Sequence, residues 1–172
     1  MRLFLVRHGL AHWPSWEGAD AARPLNPEGA QILQAEALRL AALGLKPDLI
    51  LHSPFKRAQQ TAEIIAAALG TPDHLRIYDS LRPGFHAKDL KKLLRENAGC
   101  EELMLVGHAP DVAEVVRSLT GGVVKFKEGT VALVKVDEPI QGSEGTLLWL
   151  ATSEVLTAAS QPEGQPHWPG AK

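Results

Sequence analysis

Apolar residues along the chain follow two rhythms. Short, nearly unbroken runs fall at residues 3–6, 48–52, 75–78 and 103–106, with two looser ones at 130–137 and 146–151. Longer stretches at 27–43, 54–69, 88–96 and 111–119 repeat their apolar positions at helical spacing, as with Ile32, Leu33, Leu38 and Leu40. Glycine and proline punctuate them: Gly70 and Pro72 close one helix and Gly121-Gly122 another. Strand and helix in alternation predict an α/β domain whose mainly parallel sheet is covered on both faces. Continuous apolar runs fit strands buried on both sides. The last two segments, joined through Pro139, Gly142 and Gly145, are expected to add an antiparallel edge.

The 172 residues suit one domain, expected over 1–159. From 160 to 172 the chain is rich in Gln, Pro, Gly and Glu, and a loosely held tail is expected. A content of 45% hydrophobic and 22% charged residues is ordinary for a soluble globular protein. The formal net charge of −2 argues against a general nucleic-acid or membrane-surface binder. The one cysteine, Cys100, has no partner for an internal disulfide and reads as a bystander. The apolar run at the N-terminus is too short for a secretory signal or a membrane span, so a cytoplasmic location is expected.

Open parallel sheets bind ligands beyond the carboxyl ends of their strands. Arg7-His8-Gly9 follows the first run, His52-Ser53-Pro54-Phe55-Lys56-Arg57 the second, and Gly107-His108-Ala109-Pro110 the run at 103–106. Three strand ends thus deliver Arg7, His8, Arg57 and His108 to one edge. Helix starts converge there too: Ser53 reads as an N-cap with Pro54 first in its helix, Asn26-Pro27 repeats the pattern, and Pro110 opens another helix. Helix N-termini favour anions, phosphate above all, and arginine grips phosphate oxygens in pairs. Taken singly, each residue has an ordinary alternative as a solvated or hydrogen-bonded side chain; their convergence favours function. Gly9 reads as room for close approach of a ligand. A metal cluster of His8, His12, His52 and His108 is disfavoured, because no carboxylate sits at ligand spacing and two arginines would repel a cation.

Arg7-His8-Gly9, then Ser53-Pro54 with Arg57-Ala58-Gln59-Gln60-Thr61-Ala62, then Gly107-His108 resemble the histidine phosphatase (phosphoglycerate mutase-like) superfamily. The match runs through about two-thirds of the chain, and Arg23-Pro24-Leu25-Asn26 through Gly29 is similar to the segment before that family's first long helix. Small size and the stretch Ser53-Pro54-Phe55-Lys56-Arg57-Ala58 are most like the short SixA-type phosphohistidine phosphatases. The resemblance implies a three-layer α/β/α sandwich and no metal or organic cofactor. It implies a phosphatase in which His8 is the nucleophile and Arg7, Arg57 and His108 hold the phosphoryl group.

Many members of the family carry a glutamate between the second arginine and the second histidine, to protonate the leaving oxygen. The corresponding stretch here is Tyr78-Asp79-Ser80-Leu81-Arg82-Pro83. Asp79 is the candidate acid, with a turn-forming loop residue as the alternative. Lack of the glutamate favours a phosphohistidine substrate, whose imidazole leaves with less help than an alkoxide. The expected partner is therefore a phosphorylated protein, with a small phosphorylated metabolite as the second reading and a non-catalytic phosphate-binding module as a third. Either a monomer or a homodimer fits. Trp13 and Trp16 read as loop anchors or as walls of the site mouth, and Lys125 and Lys127 as a solvated face.

Overall fold

A computed structural model describes residues 1–137 and 145–158. The expected tail at 160–172, and Pro139 and Gly142 of the expected turn, lie outside the described residues. In chain order the elements are β1 (Arg2–Arg7), α1 (Pro27–Ala42), β2 (Leu49–His52), α2 (Lys56–Leu69), β3 (Leu75–Ile77), α3 (Ala87–Glu96), β4 (Glu102–Gly107), α4 (Asp111–Thr120), β5 (Val131–Val136), β6 (Gly145–Ala151) and α5 (Ser153–Ala158).

The strands form one mixed sheet in the order β3-β2-β4-β1-β5-β6. Strands β3, β2, β4 and β1 are mutually parallel. β5 runs antiparallel to β1 and β6 antiparallel to β5, so the expected hairpin forms and joins the sheet beside β1. This is the phosphoglycerate mutase-like α/β arrangement expected above.

Side-chain alternation builds the layers. Phe4 and Val6 of β1 pack with Leu33, Ala37 and Leu40 of α1 and with Ala58, Ala62 and Ile65 of α2. Leu3 and Leu5 point the other way, to Leu90, Leu93 and Leu94 of α3 and Val115, Val116 and Leu119 of α4. Helices α1, α2 and α5 thus cover one face and α3 and α4 the other. With a helical layer on each side, β1 has no solvent-facing register, which explains its unbroken apolar run.

Helix starts follow the sequence with one correction. Asn26 caps α1, its side chain accepting from the Gly29 N–H, and Pro27 takes the first helical position. At α2 the expected cap shifts: the helix begins at Lys56 behind Phe55, with no side-chain cap. The Ser53 hydroxyl instead accepts from the Phe55 N–H, 3.2 Å away, and also meets a histidine of the site. α5 has no counterpart in the sequence reading; six residues are too few to establish a helical period.

Candidate active site

The first three parallel-strand ends singled out above meet in a cleft of about 390 Å³ whose walls include Arg7, His8, Arg57 and His108. Each side chain owes its place to its element. Arg7 ends β1, paired in register with Gly107 of β4, and His8 follows with its N–H on the Gly107 carbonyl at 3.0 Å. Arg57 is the second residue of α2, and His108 follows β4 directly.

His8 has a hydrogen-bond partner at each ring nitrogen. Its Nδ1 lies 2.8 Å from the Gly9 carbonyl, which can only accept, so Nδ1 carries the ring proton. Nε2 then presents its lone pair, where the Arg57 Nε–H donates to it at 3.2 Å. Burial, together with the Arg57 and Arg7 charges, outweighs the Gly9 hydrogen bond and lowers the His8 pKa to about 4. His108 meets His8 edge-on at 5.2 Å between ring centroids. Burial, and then the neighbouring charged groups, lower its pKa to about 3. Both imidazoles are therefore neutral at pH 7.

Gly9 departs from the expectation of close ligand approach. A Cβ there would meet Leu25 Cδ2 at 3.3 Å and Leu33 Cδ2 at 3.5 Å, so the missing side chain lets the turn pack on α1. The Gly9 N–H donates to Thr61 Oγ1 at 3.0 Å, and the Thr61 hydroxyl donates to the Arg57 carbonyl at 2.7 Å. Thr61 thus ties the turn after His8 to the helix that carries Arg57.

Two carboxylates already sit on the guanidinium groups. Arg57 donates to the Asp20 carbonyl at 2.9 Å and to its carboxylate at 3.0 Å. Arg23 holds the same carboxylate from its other oxygen, at 3.0 and 2.6 Å. Partial burial would raise the Asp20 pKa, but the hydrogen bonds from Arg23 and Arg57 prevail and hold it below the usual carboxylate range. Across the cleft Arg7 donates to the Phe126 carbonyl at 2.9 Å and pairs with Glu128. Gly129 continues that turn and donates to the His8 carbonyl at 3.2 Å.

Asp79 is not brought in. It lies in a short 3-10 turn after β3, 78% exposed, and bonds Arg82 at 3.0 Å. The two are three positions apart in the chain, so the local pair forms without any reach into the cleft. Trp13 and Trp16 take the anchoring alternative: their indole N–H groups donate to the Pro24 and Ala19 carbonyls at 3.0 and 3.2 Å. Lys127 pairs with Glu154 at 2.7 Å. Among the described residues, no group of three or more His, Cys, Asp or Glu side chains is placed to hold a metal ion, and no helix is long and apolar enough to cross a membrane.

Sequence reasoning missed Asp20, Arg23 and Glu128 as cleft residues. Arg23 had a signal in the Arg-Pro-Leu-Asn stretch. Asp20 and Glu128 had none, since loops carry them to the arginines from 37 and 121 residues away.

Comparisons with known proteins place the chain in a family. The family model for the histidine phosphatase superfamily (branch 1) matches residues 3–82. An uncharacterised protein of Picosynechococcus is 38% identical, over 89% of this chain and 96% of its own. The phosphohistidine phosphatase SixA of Escherichia coli is 29% identical over 87% of this chain and 92% of its own length. A solved structure of the protein histidine phosphatase SixA, complexed with tungstate, superposes with a TM-score of 0.80 at 27% identity, covering 89% of this chain and 97% of that one.

Proposed function

The chain belongs to the histidine phosphatase superfamily and is a phosphatase, and from that premise we propose that it hydrolyses phosphohistidine on a protein through a covalent intermediate on His8. The observation that carries this reading is the pose of His8. Its Nδ1 is committed to the Gly9 carbonyl while Nε2 opens into a cleft walled by Arg7, Arg57 and His108. A neutral imidazole with one lone pair aimed among cationic donors is suited to attack phosphorus. The SixA structure is a complex with tungstate, a tetrahedral oxyanion of phosphate-like shape, which supports an oxyanion ligand for this fold.

In the proposed first step His8 Nε2 bonds to phosphorus and the P–N bond to the substrate histidine breaks. Its electron pair stays on the substrate ring, which leaves as neutral imidazole because its other nitrogen is protonated in the reacting form. Water then attacks phosphorus, the His8–phosphorus bond breaks, and inorganic phosphate leaves. Arg57, released from His8 and Asp20, and Arg7 hold the phosphoryl oxygens and offset charge in the loose transition state. The choice of phosphohistidine over an alkyl ester rests on the acid. Asp79 bonds Arg82 outside the cleft, and Asp20 is held ionised by two arginines. An alkoxide would leave without a ready proton, whereas imidazole is a better leaving group. The reading takes residues 1–159 as one catalytic domain working in the cytoplasm.

The test pairs a phosphohistidine-bearing carrier protein with a panel of small phosphate esters, assayed without added metal beside His8→Ala. The expected result is loss of the phosphohistidine signal with the wild type only, and slow ester turnover. Arg57→Ala should lose on the order of 10²-fold or more in rate. Fast turnover of a sugar phosphate would replace the substrate assignment. Equal turnover by His8→Ala would remove the covalent mechanism.

A further inference from the structure

His108 presents one nitrogen to the protein and leaves the other bare. Its Nε2 lies 2.8 Å from Ser53 Oγ, and its Nδ1 is buried with no hydrogen-bond partner. Both residues are interior, Ser53 fully buried and His108 3% exposed. A neutral imidazole carries a single N–H, so which nitrogen holds it decides whether the bare position is a donor or an acceptor.

The hydroxyl of Ser53 resolves this. Its oxygen already accepts the Phe55 N–H at 3.2 Å, and its one hydrogen needs an acceptor. If Nε2–H donated to Ser53, that hydroxyl hydrogen would be buried beside no other acceptor, and Nδ1 would turn an unpaired lone pair on an oxyanion. If the Ser53 O–H donates to Nε2, the hydroxyl is satisfied and Nδ1 carries the proton. Only one group then lacks a partner, and it is a donor. A buried donor without a partner is destabilising, and a phosphoryl oxygen that accepts from it removes that cost on binding.

We infer that Ser53 is a positioning residue that locks His108 as the Nδ1–H tautomer, so that Nδ1 donates to the phosphoryl oxygen. The inference deepens the function proposed above and rests on its assignment of the phosphoryl group to this cleft. It also accounts for the shifted start of α2: Ser53 is used at the site rather than as a helix cap. The sequence reading took the same serine for a cap because Ser-Pro is a common helix opening. Burial keeps His108 neutral, which makes the choice of tautomer matter at pH 7.

The experiment is long-range ¹H–¹⁵N NMR on protein labelled at histidine, with His108→Gln to assign the signals, alone and with tungstate. The wild type is expected to show His108 with a protonated Nδ1 and a bare Nε2, and tungstate should shift the Nδ1–H signal. Ser53→Ala should populate the other tautomer and lower kcat/KM by about 10-fold, the loss of one hydrogen bond. Ser53→Thr, which restores the hydroxyl, should recover both. A wild-type Nε2–H signal would overturn the inference. So would a Ser53→Ala protein that keeps the wild-type tautomer, or one that changes tautomer with kcat/KM intact. If Ser53→Ala does not fold, the wild-type tautomer and its response to tungstate decide alone, an unmoved signal counting against. Failure of the phosphohistidine assignment would appear separately, as an intact tautomer in a protein that spares P–N bonds.

Discussion

At the scale of single residues, the cleft at rest is already filled with protein carboxylates. Asp20 occupies Arg57 and Arg23, and Glu128 occupies Arg7. In the proposed mechanism an incoming oxyanion displaces the Asp20 carboxylate before Arg57 turns to it. Asp20→Asn keeps the shape and removes the competing charge, so it should bind tungstate several-fold more tightly than the wild type, measured by calorimetry at low salt. Weaker or equal binding would mean that Asp20 orients Arg57 rather than competing for it. The lowered histidine pKa values set a second expectation. A free imidazole would protonate near 6.5, but His8 keeps its lone pair down to about pH 4. With an aryl phosphate, and after correction for the substrate's own ionisation, kcat/KM should stay flat from pH 7 to about 5 and fall only near 4. An acid limb at 6.5 would show that His8 is not held in this buried pose. The four residues at the strand ends were legible because each follows a recognisable apolar run. Asp20 and Glu128 were not, because their contacts are made by loops and no local pattern encodes them.

At the scale of elements, a buried carboxyl joins two helices and the turn before β5. Glu36 of α1 is 2% exposed and lies under Gly129, where an added Cβ would stand 2.6 Å from both carboxyl oxygens. Gly129 has φ of 74°, a left-handed conformation that also favours glycine. Burial raises the Glu36 pKa from 4.5 to about 7, and a hydrogen bond with Ser153 of α5 only partly offsets it. The folded protein therefore holds this proton more tightly than the unfolded chain. The stability it contributes is complete below pH 4.5 and lost as pH rises through about 7. Glu36→Gln should leave Tm nearly unchanged at pH 5 and raise it by several degrees at pH 8, at about 2–4 °C per kcal/mol. A Tm difference that does not vary with pH would remove the buried charge as the cause. Of the elements themselves, the strands and the first four helices were legible in period and punctuation. The start of α2 and the whole of α5 were not, one because a side chain serves the site and the other because it is a single short turn packed on α1.

At the scale of the whole molecule, the sheet order matters more to the site than the order of motifs along the chain. The helices, the parallel strands and the antiparallel edge were each visible in the pattern of apolar residues. Strand order was not, since a run of leucines does not name its neighbours. β1 lies between β4 and β5, and its partners run from Glu102 to Gly107 and from Val131 to Lys135. Most of the family-defining pattern falls within residues 3–82, yet none of those partners do, and neither does His108. A fragment ending near residue 82 would carry the recognisable signature and no working centre, with an apolar strand left unpaired along both edges. His8 ends up beside strands that come much later in the chain, Glu102 to Gly107 and Val131 to Lys135. Such long-range closure favours slow assembly, and the cleft is complete only once β4 and β5 have joined β1.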